Sequence, residues 1–145
     1  MLTLASVDAA WGWAMPHARR IIATNSFGNV LIEVGDGAVW RIIPEELSCT
    51  RIAPDLASFD ALNEEADFRE DWEMTRLVEM AEKSCGVLQP DTVYHLVIPA
   101  VLGGQYTTDN IQRISLSELV SVSGDMARQI DNLPDGAQVA IKVVE

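Results

Sequence analysis

Lysine is almost missing from this chain. Lys83 and Lys142 are the only two, beside eight scattered arginines and 22 acidic residues, which gives a formal net charge of −12. A protein that grips a phosphate backbone needs clustered basic side chains to displace counterions, so nucleic acid is not expected as a partner, and an anionic membrane surface is disfavoured for the same reason. What such a field attracts is a basic protein, because complementary potentials speed encounter. Cysteine is equally scarce. Cys49 and Cys85 are far apart and form no paired motif, so they read as ordinary core thiols of a reducing compartment.

Other absences narrow the chemistry. No apolar run approaches the roughly 18 residues that a bilayer span needs. The N-terminal stretch is interrupted by Asp8 and Gly12, with Arg19 and Arg20 only after it, which does not fit a secretory signal. Cytoplasmic residence is the expectation by elimination. There is no G-x-S-x-G, no phosphate-binding glycine loop and no H-E-x-x-H, and the histidines are only His17 and His95. Both read as structural or solvated imidazoles. The pair Gly103-Gly104 precedes no clear helix and has no lysine nearby, so its expected role is conformational. Glu45-Glu46 reads as two solvated turn residues with nothing nearby to raise a pKa. Neither a catalytic group, a metal site nor a cofactor is expected, and the chain is read as a non-enzyme.

What is present is an ordinary globular composition, 48% apolar and 22% charged over 145 residues. That length can bury roughly two-thirds of the surface an unfolded chain exposes, so a single domain over residues 1–145 is expected. Leu4, Val7, Ala10, Trp11 and Ala14 recur at helical spacing and predict a short helix between Leu2 and Met15, stopped near Pro16, with Trp13 off the stripe. Segments rich in β-branched residues follow at Ala18–Thr24, Asn29–Val34, Ala38–Ile43 and Ser48–Ala53. Turn residues at 25–28 and 35–37 separate the first three, which predicts an antiparallel meander. Asp55 can cap a helix carrying Leu56, Phe59 and Leu62. A second helix is predicted from Asp67 to Ser84, with Met74, Leu77, Val78, Ala81 and Cys85 as its inner stripe and Gly86 as its stop. Strands at Thr92–Ile98 and Ile111–Leu116 flank a loop over 99–106. Ser117 then caps a helix that turns Leu119, Val120, Ala127 and Ile130 inward. A breaker at 132–136 and a last strand at Ala137–Val144 close the chain. The fold class is α+β, a largely antiparallel sheet covered by helices.

One stretch stands out for recognition. Residues 55–83 hold ten acidic and three basic residues, a net of −7 in 29 positions. Such a run is either the wet face of helices or a docking surface for a basic partner. Of the four tryptophans, Trp40 reads as core, whereas Trp72, set among Glu70, Asp71 and Glu73, is the one expected to be partly exposed, an aromatic ringed by charge. The candidate contact residues are therefore Glu64, Glu65, Asp67, Glu70, Asp71, Trp72 and Glu73, joined by Gln105 and Tyr106 from the glycine loop.

Four segments also carry a resemblance: Asn25 to Val30 (NSFGNV), Gly37 to Ile42 (GAVWRI), Leu102 to Tyr106 (LGGQY) with Asp109-Asn110-Ile111, and Arg128 to Pro134 (RQIDNLP). Together they resemble the C-terminal domain of type VI secretion system immunity proteins that neutralise Tde-type DNase effectors. The likeness runs from about Arg20 to Gly136. It implies a cytoplasmic bacterial inhibitor that binds a cognate basic effector protein and blocks its active site; it carries over no contact residues, and the oligomeric state stays open. The other reading of the residues is a non-enzymatic regulatory or scaffold module that binds a host protein or peptide.

Overall fold

Four strands follow one another from Ala18 to Ala53 in the computed structural model, which describes residues 1–131 and Leu133. They are β1 (Ala18–Thr24), β2 (Val30–Val34), β3 (Val39–Ile43) and β4 (Ser48–Ala53), paired antiparallel in the order β1-β2-β3-β4. The meander follows from its turns. Asn25 accepts hydrogen bonds at its side-chain oxygen from the backbone N–H groups of Phe27 and Asn29, both at 3.0 Å. Gly28 completes that turn at φ +70, and Gly37 at φ +91 completes the next.

Side-chain alternation then divides the sheet into two faces. Val30, Ile32, Val34 and Ile42 pack on one side with Trp11, Val120 and Ala127, while Leu31, Val39 and Ala53 pack on the other with Phe59 and Trp72. The sheet is thus roofed twice, by α1 (Leu4–Trp11) and α5 (Leu116–Ile130) on one side and by α2 (Leu56–Asn63) and α3 (Ala66–Glu73) on the other. In β1 the pairing shifts between Ile21 and Ala23. Ile21 accordingly packs with the first cluster and both Ile22 and Ala23 with the second.

The first helix ends at Gly12, earlier than the proline suggests, and Leu4 is exposed where the stripe placed it inside. Val7 and Trp11 carry the burial, and the Trp11 indole N–H donates to the carbonyl of Val120 at 3.2 Å. Trp13, off the stripe, still stacks on Trp11 with ring centres 6.0 Å apart. The two helices touch closely at Gly124, where an added Cβ would lie 2.4 Å from the Ala10 carbonyl oxygen. Asp55 caps α2 as expected, accepting from the Ser58 N–H at 2.7 Å.

The helix predicted over Asp67–Ser84 is two helices. α3 stops at Glu73, Met74 takes a left-handed conformation at φ +48, and α4 (Thr75–Cys85) resumes in a new direction before Gly86 ends it. Two separate cores explain the break. Trp72 faces the four-stranded sheet, whereas Met74, Leu77, Val78, Ala81 and Cys85 pack against Phe27, Tyr94, Leu96 and Ile111. One straight helix could not serve both.

That second core belongs to a hairpin of β5 (Thr92–Leu96) and β6 (Ile111–Ser115), an antiparallel pair tied to the first turn by a bond from the Tyr94 N–H to the Ser26 carbonyl at 2.8 Å. β6 runs directly into α5. The cap is therefore Ser115, which accepts from the Glu118 N–H at 3.1 Å, and Ser117 lies inside the first turn. Leu119, Val120 and Ala127 are buried and Ile130 packs beside them, as the spacing predicts. The architecture is α+β. The expected strand at Ala137–Val144 and all of the 132–136 breaker except Leu133 lie outside the described residues. Both cysteines are free thiols, and burial pushes the Cys49 thiol up to about 12. Among the described residues, no helix is long and apolar enough to cross a membrane.

Candidate functional site

Arg41 sits in the middle of β3, on the sheet face that looks towards α3, opposite Leu31 in the register. A guanidinium in that position must be satisfied inside the protein. Its Nε and Nη2 donate to the Asn29 side-chain oxygen at 3.0 and 2.8 Å, and Nη1 donates to Asp71 at 2.5 Å. The guanidinium carbon also lies 5.3 Å from the centre of the Trp72 ring, within cation–π range. Trp72 is thereby part of the frame. It is 6% exposed, buried between sheet and helix, which overturns the expectation of an exposed aromatic. Its ring packs with Leu31, Val39, Ala53 and Phe59 in the core between the four-stranded sheet and the helices. Asn25 holds the same segment, donating to the Trp72 carbonyl at 2.9 Å.

From Asn29 the network continues to Glu45 in the short 3₁₀ turn Pro44–Glu46 that follows β3. The Asn29 amide donates to both carboxylate oxygens, at 2.8 and 3.0 Å. Glu45 is 6% exposed, so the expectation that Glu45-Glu46 are two solvated turn residues fails for the first of them. Burial pushes its carboxyl up to about 7, against the opposing pull of the Asn29 hydrogen bond and the Arg41 charge, with Glu46 adding to the rise. Glu46 itself is exposed. The signals in the sequence were an arginine inside an apolar strand and a proline that folds the next residue back under the sheet.

Above this network lies an open cleft of about 590 Å³, whose walls include Ile43, Glu45, Glu46, Glu70, Asp71, Met74, Arg76 and Tyr106. Tyr106 reaches it from the loop after β5. Its hydroxyl pKa is raised, first by burial and then by the charges of Glu45, Glu46 and Asp71. Three of the predicted contact residues, Glu70, Asp71 and Tyr106, therefore meet in one place. Apart from the buried Trp72, the others are exposed but do not line the cleft: Glu64 and Glu65 mark the joint between α2 and α3, Asp67 and Glu73 lie on α3, and Gln105 precedes Tyr106. Glu73 is paired with Arg69 at 2.7 Å. All ten acidic side chains of residues 55–83 are exposed.

The remaining candidates fall out of the site. His17 is solvent-facing and 2.8 Å from the Asp8 carboxylate, and His95 is half-buried in β5, where burial lowers its pKa. Gly103 has φ +96, and an added Cβ on Gly104 would stand 1.7 Å from the Ile98 carbonyl oxygen, so both glycines are there for the backbone path. Trp40 packs against the first core with an indole N–H that is buried and unpartnered. No group of three or more potential metal ligands comes together among the described residues.

The family profile described as "T6SS immunity protein Tdi1, C-terminal" matches residues 53–127, from the end of β4 through most of α5. No curated protein matches the chain. Among solved structures the chain is similar to "Crystal structure of Atu4351 from Agrobacterium tumefaciens", with a TM-score of 0.56 and 17% identity over 85% of this chain and 64% of that one. At that identity the likeness is one of fold, and the chain spans less than two-thirds of the length of the protein it matches.

Proposed function

We propose that this chain, which belongs to the family of type VI secretion immunity proteins defined by the Tdi1 C-terminal domain, is a cytoplasmic inhibitor that binds a cognate DNase effector one to one and covers its active site. The family match carries the immunity role. Charge supports a DNase target: a nuclease must present a basic cleft to hold DNA, and ten exposed carboxylates lie within residues 55–83 of this chain. An acidic surface of this kind takes the place of the phosphates. Glu64, Glu65, Asp67, Glu70, Asp71 and Glu73 make the approach, and the cleft at Tyr106 receives the partner. Trp72 acts from beneath by holding Arg41, and Gln105 sits at the rim.

Nothing in this reading requires turnover, and inhibition is stoichiometric. The test is to mix the purified chain with the product of the gene that neighbours its own. The expected result is a one-to-one complex that weakens with salt and abolishes nuclease activity. Separate elution at low ionic strength, where such an interaction is strongest, would remove the proposal.

A further inference from the structure

The loop between β5 and β6 exposes an unusual set of side chains. Val97, Ile98, Val101 and Tyr106 are each between 45% and 56% exposed within ten residues, and they make up four of the eight exposed large apolar side chains among the described residues. Isolated apolar residues on a surface need no explanation, but these four sit on a backbone that is fastened at many points. Asn110, itself buried, uses its whole amide on the loop: Oδ1 accepts from the Ile98 N–H at 2.9 Å, and Nδ2 donates to the carbonyls of Ile98 and Gln105, both at 3.0 Å. The Val97 N–H donates to the Asn110 carbonyl at 2.8 Å, and the Gly104 N–H returns to the Pro99 carbonyl at 3.0 Å. Gly104 passes so close to Ile98 that no side chain fits, and Thr107 is bonded to Asp109. Leu102 and Ala100 point back into the two cores. A short loop ordered before any partner arrives loses little entropy on binding, which is where apolar contacts give most affinity.

We propose that loop 97–106 is a preformed apolar wedge that seats in an apolar hollow rimmed by basic residues on the partner protein, and that this wedge, rather than the acidic helices, sets the lifetime of the complex. Charge complementarity selects the occupant. Tyr106 joins the wedge to the cleft walled by Glu45, Glu46, Glu70 and Asp71, so a hollow that takes the loop must carry positive charge on the side facing α3. The acidic helices then govern approach, and the wedge governs escape. This inference rests on the inhibitor reading above.

The two parts separate kinetically. Against the catalytically inactivated product of the neighbouring gene, the triple variant Val97→Ser, Ile98→Ser, Val101→Ser should dissociate at least tenfold faster, while its association rate and the salt dependence of that rate stay within twofold of the parent. All three side chains are about half exposed, and an unchanged far-UV spectrum and melting temperature confirm the fold. If the parent chain forms no complex, both this proposal and the inhibitor reading fail. If the parent binds and the triple variant leaves at the parental rate, only the wedge fails. A free parent chain that dimerises, with the dimer lost in the triple variant and effector dissociation unchanged, would assign the loop to self-association and overturn the proposal.

Discussion

The guanidinium of Arg41 lies over the ring of Trp72, 5.3 Å from its centre, and this contact joins the sheet to the helix that carries the acidic face. One side chain thereby fixes three things: the β3 strand, the turn that contains Glu45, and the end of α3.

Arg41→Met should be strongly destabilising, by about 3–5 kcal/mol at pH 8, because it leaves the buried Glu45 carboxylate without its cation and Asn29 without its donors. Arg41→Lys keeps the charge but not the fork of donors and should lose about 1–2 kcal/mol. Asp71→Asn, at the exposed end of the pair, should lose less than about 1 kcal/mol. Urea denaturation measures all three. Equal losses for Arg41→Met and Asp71→Asn would mean the network contributes nothing beyond a surface ion pair.

Glu45 gives the fold a pH dependence of defined sign. Its folded value of about 7 stands above the ordinary 4.5. Below 4.5 the carboxyl is neutral in both states and its contribution is fully present. As pH rises from 4.5 to 7 the unfolded chain releases the proton while the folded chain keeps it, so stability falls; above 7 the deficit is constant. The displacement corresponds to about 3 kcal/mol. Glu45→Gln cannot titrate, so its unfolding free energy relative to the parent should climb by about that amount between pH 4 and pH 8. A flat difference would show that Glu45 ionises normally.

Gly124→Ala should loosen the seam between α1 and α5 even though alanine is the better helix former. The added methyl would collide with the Ala10 carbonyl, and a loss of about 1–3 kcal/mol is expected by thermal or chemical melting. A stabilised variant would mean that the helices can separate freely at that point.

On the inhibitor reading, Asp67→Lys with Glu70→Lys should slow association with the effector several-fold at low salt and flatten its salt dependence, with stability within about 0.5 kcal/mol of the parent because both residues are exposed. Stopped-flow mixing at several ionic strengths distinguishes this from a surface that the partner never meets.

The meander was legible in the sequence almost residue by residue because each joint carries its own turn chemistry and each strand its own run of β-branched residues. The α3 to α4 break was not. Met74 is an ordinary helix residue with no local reason to adopt φ +48, and only the existence of two cores, one beneath Trp72 and one beneath Ala81, forces the chain to turn there. Trp72 was misread because its sequence neighbours Glu70, Asp71 and Glu73 are charged, whereas its ring packs against the sheet core and under Arg41, which only the tertiary fold brings to it. Glu45 was missed for a related reason: its neighbours Asn29 and Arg41 are 16 and 4 residues away in sequence and meet it only across the folded sheet. The acidic segment, by contrast, was readable in full, since a dense local run of carboxylates needs no tertiary information to be placed in water.

On the side of the sheet covered by α2 and α3, the buried helix residues are Phe59 and Trp72. The outward positions between those anchors are therefore open to exchange with little disturbance of what lies below, and on the inhibitor reading such a protein can follow a changing toxin by altering its skin while its skeleton stays put.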